Sequence, residues 1–127
     1  MNFSQDFDQN IKEFKSVLHI DQCFDVVYRV FEAGGRKGCL FFVDGMTKDE
    51  VLLKLMQLFQ SIKPEDMPAD AHAFSKKMIP YGETGLVKDQ DQAVVQLLSG
   101  ITCMFLEGYD LCLTIDCRTY PARGVSE

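Results

Sequence analysis

Apolar positions along this chain change their period several times, and each change marks an element. Phe7, Ile11, Phe14, Val17 and Leu18 recur at spacings of four, three, three and one, the stripe of a helix laid on a core. They predict a helix over about 5–18, with Ser4 as its N-cap. From 24 to 43 the chain turns to β-formers: Phe24, Val26, Val27, Tyr28, Val30 and Phe31, then Gly34-Gly35-Arg36, then Cys39 through Val43. Two such runs around a Gly-Gly turn predict a hairpin. A helix over 21–32 with an Asp25–Arg29 pair is the competing reading. The crowding of β-branched residues decides for the strands.

Helical spacing returns after Asp44-Gly45-Met46. Thr47 and Glu50 stand three apart, as in a capping box, and Asp49 and Glu50 suit the positive end of the helix dipole. Val51, Leu52, Leu55, Leu58, Phe59 and Ile62 form a wide apolar face, which Pro64 ends. Residues 63–70 read as a loop, and 69–78 as a short helix with Ala71, Phe74 and Met78 on one side. Thr84 to Val87 reads as an extra strand. Residues 89–99 form another helix, with Ala93, Val94, Leu97 and Leu98 inward and Gly100 as its stop. Strands at 101–106 and 111–116 flank a Gly108-Tyr109-Asp110 turn as a second hairpin. The order predicts an α+β fold: a mixed sheet of two hairpins plus the extra strand, with three to four helices packed on one face.

The length of 127 residues suits one domain. At 46% hydrophobic and 25% charged residues, it can bury a full core. The net charge of −6, with basic residues scattered in small groups, argues against nucleic acid. Five cysteines, an odd count without a C-x-x-C pair, read as buried free thiols rather than a zinc site or disulfide framework. With no signal peptide in view, they point to a reducing compartment. The longest apolar runs, Cys39 to Val43 and Cys103 to Leu106, are far below the roughly 18 residues of a bilayer span.

Chemistry is sparse. His19 and His72 lie far apart, outside any recognised nucleophile signature. Asp44, Glu107, Asp110 and Asp116 sit near strand ends, where turn-forming explains them better than acid–base work or a hard cation. Gly34, Gly35 and Gly38 form G-G-x-x-G, but they do not open a helix, so the dinucleotide reading fails its context test. No catalytic or metal residue and no cofactor is expected. The last segment is more informative: Arg118 and Arg123 flank Tyr120-Pro121, and arginine with tyrosine suits an interface anchor or a carboxylate or phosphate partner. Arg118, Tyr120, Arg123, Asp25 and Arg29 are the candidate interface residues.

Several segments together carry a resemblance. Phe24-Asp-Val-Val-Tyr-Arg29, the strand ending Val43-Asp44-Gly45, Leu97-Leu-Ser-Gly100, Glu107-Gly108 and Arg118-Thr-Tyr-Pro-Ala-Arg123 resemble the GerA family, the A subunits of bacterial spore germinant receptors. Ile79-Pro-Tyr-Gly-Glu83 and the Asp116–Arg123 ending are most similar to the stage V sporulation branch of that family. The resemblance implies an N-terminal domain on the cytosolic face of the spore inner membrane, excised from a longer protein with membrane helices. It implies partner subunits in a germination and ion-release complex, and no known enzymatic activity. The first expectation is thus a module for subunit assembly or signal relay, with self-association and other subunits as partners, touching membrane only through the missing part. The alternative is a small-molecule (germinant) sensor. The third is an enzyme with a Cys/His or Asp/His site formed only in space.

Overall fold

The computed structural model describes residues 2–19, 25–79 and 83–118. The first helix, α1 (Phe7–Leu18), starts under the Asp6 carboxylate, which accepts from the Gln9 N–H at 3.1 Å. Ser4, the expected cap, lies two residues too early. The buried Asn10 amide clamps its backbone, accepting from Ser4 N–H and donating to Ser4 carbonyl at 3.0 and 2.7 Å. Phe14 and Leu18 are buried along the predicted stripe, whereas Val17 remains 40% exposed.

Strands β1 (Val26–Ala33) and β2 (Arg36–Val43) form the first hairpin, joined by Gly34-Gly35. Both glycines have positive φ, +58° and +78°, as a two-residue hairpin turn twisted to match its strands demands. The helical alternative over 21–32 and its Asp25–Arg29 pair therefore fall. Residues four apart, adjacent on a helix, are roughly 13 Å apart along a strand.

Helix α2 (Asp49–Gln60) begins one residue later than expected, because Lys48 N–H is held by the Cys117 carbonyl at 2.9 Å. Its N-cap, Lys48, makes no side-chain cap bond, and the Thr47 hydroxyl instead donates back to the Val43 carbonyl at 3.5 Å. The capping box does not form. A 3-10 turn over Pro64–Asp66 leads to α3 (Ala71–Lys77), capped by the Asp70 carboxylate on Ala73 N–H at 2.8 Å. The extra strand is present as β3 (Thr84–Val87), and α4 (Gln90–Leu98) starts under Asp89. Strands β4 (Thr102–Leu106) and β5 (Cys112–Ile115) make the second hairpin.

The five strands lie in the order β1-β2-β4-β5-β3. Every pairing is antiparallel, since each hairpin supplies opposed neighbours and β3 runs against β5. The expected helices on one face become helices on both. On one side Leu40, Phe42, Met104, Leu113 and Ile115 pack against α2 and α3. On the other, Cys39, Phe41, Cys103, Phe105 and Cys112 pack against α1 and α4. The cause lies in β2 and β4. Residues 38–43 and 102–106 are buried without alternation, and a strand apolar on both sides needs cover on both.

Candidate functional site

Where β1 reaches the sheet edge, its side chains leave the shelter of the helices. Val27 and Arg29 share the face that carries Leu40 and Phe42 of β2. Helix α2 packs across this face against the edge strand β1, with Phe59 meeting Phe31, and an open cleft of about 620 Å³ remains between them. Its floor is Val27, Leu40 and Phe42; its wall is Leu52, Leu53 and Met56; its polar groups are Arg29, Asp44 and Asp49. Among the described residues, no hydrogen bond or ion pair engages the side chains of these three charged residues. Asp25, at the head of β1, is exposed and its carbonyl accepts the Asp44 N–H at 2.7 Å. The hairpin thus brings Asp25 and Asp44 together, with Arg29 four residues further along β1. No spacing rule marks Asp49 and Met56 as cleft residues, because their part in a cleft depends on where α2 crosses the sheet.

Arg118 is folded into the domain. Its guanidinium donates twice to Asp116, at 3.0 and 2.9 Å, and once to the Ser99 carbonyl at 3.1 Å, closing the end of α4 against the end of β5. Asp116 also accepts the Arg118 backbone N–H. These bonds hold the Asp116 carboxyl below its ordinary range, the side-chain bond from Arg118 counting most, and raise the Arg118 guanidinium. The other two members of that predicted group, Tyr120 and Arg123, lie outside the described residues.

Beside this knot, α4 presents a second surface. Gln90, Ala93 and Leu97 are buried, so Val95 and Leu98 point outward, 69% and 55% exposed. Leu98 was expected inward. The helix carries more apolar residues than one stripe can bury, and that surplus was the legible signal. Val95 also borders a groove of about 520 Å³ along the edge strand β3, with Leu86 and Asp91.

The remaining chemistry is dispersed. Cys39, Cys103, Cys112 and Cys117 are free and buried. Burial pushes Cys39 up to about 12 and Cys117 to about 11, and raises Cys112 as well, so these thiols stay protonated and inert. His19 and His72 are exposed, on the ends of α1 and α3. Glu107 accepts the Lys37 N–H at 3.0 Å, at the opposite end of β2 from Asp44, so the four strand-end carboxylates do not converge. Among the described residues no group of three or more His, Cys, Asp or Glu is placed to hold a metal ion. No described helix is long and apolar enough to cross a membrane.

Compared with known proteins, residues 12–127 match the family model described as Bacillus/Clostridium GerA spore germination protein. The chain belongs to the GerA family. A curated relative of this GerA chain is Stage V sporulation protein AF of Bacillus subtilis (strain 168), 25% identical over 121 residues. That alignment covers 94% of the GerA chain and 24% of the relative, so the chain spans about a quarter of it. A solved structure is similar throughout: the N-terminal domain of the A subunit of the Bacillus megaterium spore germinant receptor GerK3, with a TM-score of 0.76 at 13% identity. It covers 94% of the GerA chain and 49% of the solved one, and at that identity the likeness concerns the fold.

Proposed function

We propose that this chain is the N-terminal domain of a spore germination membrane protein, facing the cytosol at the spore inner membrane. It acts without catalysis, holding its subunit in register with neighbouring subunits of a germination complex. Membership in a family of spore germination proteins supports the setting. The observation that carries the assembly role is the outward pair Val95 and Leu98 beside the free edge of β3. Large apolar side chains set together on a helix, rimmed by polar residues such as Asp91 and Gln92, are what a protein partner covers. Arg118 supports this surface from behind by fastening the end of α4.

The test is a Val95→Ser, Leu98→Ser double variant in the full-length membrane protein. Both positions are exposed, so the melting temperature of the domain should stay within the small change usual for surface substitutions. Co-purification of partner subunits should fall at least about fivefold, the weight of roughly 1 kcal/mol of lost contact. Undiminished recovery of the complex would reject the assembly role.

A further inference from the structure

The α4 surface has a counterpart at the opposite edge of the sheet. We propose that the partner covering Val95 and Leu98 is a second copy of this chain, which lays its strand β1 alongside β3 so that the two sheets run on as one. This rests on the assembly role and names its partner.

Strand β1 is an edge open to pairing. It is eight residues long, and its register with β2 runs unbroken from Val26↔Val43 to Ala33↔Arg36, with no bulge or proline to blunt the outer side. Its side chains Tyr28 and Val30 are 40% and 66% exposed. They stand opposite Phe41 and Cys39, so they project on the face that carries α1 and α4. Val95 belongs to that same face at the other edge, bordering the groove between α4 and β3, with Leu98 beside it on the helix.

Direction lets the two edges meet. With five strands and every pairing antiparallel, β1 and β3 run the same way. Two copies in one orientation therefore join β3 to β1 as a parallel pair. The side bearing α1 and α4 continues from one copy into the next, and Tyr28 and Val30 of the incoming strand face the groove beside Val95.

Charge favours this union over a symmetrical one. The Lys15 ammonium lies 3.8 Å over the Tyr28 ring, and Lys12, one turn earlier on α1, is exposed. On the other edge Asp91, one turn before Val95, and Glu83, just ahead of β3, are exposed carboxylates. Head-to-tail contact sets lysines against carboxylates. A two-fold pairing of β1 with β1 sets lysines against lysines and leaves the carboxylates unmet.

The test is thiol cross-linking between two differently tagged copies of the full-length membrane protein, one carrying Val30→Cys and the other Val95→Cys. The four described cysteines are buried, and the parent protein sets the background. A short bismaleimide should join the two kinds of copy, whereas Val30→Cys copies should not join one another above background. Asp91→Lys in the Val95→Cys copy should lower the mixed product at least about fivefold. Lys12→Glu with Lys15→Glu in the Val30→Cys copy should then restore it. No mixed product overturns the proposal. So does a Val30→Cys pair formed as readily as the mixed one, or a mixed product indifferent to Asp91→Lys. If the Val95→Ser, Leu98→Ser variant loses its partners and no mixed product forms, the surface serves a different subunit: the assembly role stands and this partner falls.

Discussion

Asp116 and Arg118 show how two residues near the end of β5 tie together elements distant in sequence. The pair is partly exposed, with side chains 22% and 41% accessible, so solvent screening keeps its contribution small. The sign of its pH dependence is fixed. Arg118 lowers the folded Asp116 carboxyl below the ordinary 3.8, so its contribution is complete above that value and fades as pH falls through the depressed folded one. Asp116→Asn should therefore be modestly less stable than the parent at pH 7, with the gap shrinking below about pH 4; urea unfolding of both chains across pH measures it. A gap that grows on acidification would contradict the pairing. Residue identity alone suggested an outward-facing arginine. Its inward bond to the Ser99 carbonyl bridges residues 19 apart, and no local spacing rule reaches that far.

At the scale of elements, the chain announced its helices and strands well and their first residues less well. Periodicity placed α1, α2, α4 and both hairpins, because burying an apolar stripe forces the 3.6 or 2 period into the sequence. Caps obey a different competition. A side chain caps only if no tertiary bond claims its neighbourhood, and Asn10 displaced Ser4 while Cys117 displaced the box at Thr47. This gives a paired expectation. Asp70→Ala removes a formed cap on α3 and should cost about 1 kcal/mol. Glu50→Ala, at the unformed box, should change stability by less than about 0.5 kcal/mol. Denaturant midpoints at constant m report both, and equal losses would mean that the box forms in solution.

For the whole molecule, the two-sided sheet is written in the unbroken apolar runs 39–43 and 103–106, which call for cover on both faces rather than the one face expected from element order. Once β2 and β4 are central, covering both faces follows. The α1 side is built around Phe14, which is fully buried and meets Phe41 and Phe105 edge-on at 5.0 and 5.2 Å. Phe14→Ala should destabilise the fold by about 3–5 kcal/mol, seen as a lower urea midpoint; a loss below 1 kcal/mol would mean that α1 is dispensable to the core. The cleft at β1 was not legible in the sequence, because it arises where one element falls short of covering another, whereas the α4 surface was signalled only by the surplus of apolar residues on that helix. Such shortfalls belong to the packing, not to any segment.

The strand order has a kinetic consequence. Each hairpin joins near neighbours, but Gly38 meets Leu106 and Phe41 meets Cys103 only after a chain loop of more than sixty residues closes. That closure surrenders its entropy before the central contacts return any gain. Refolding should therefore wait on the union of two early ribbons, over milliseconds to seconds rather than microseconds.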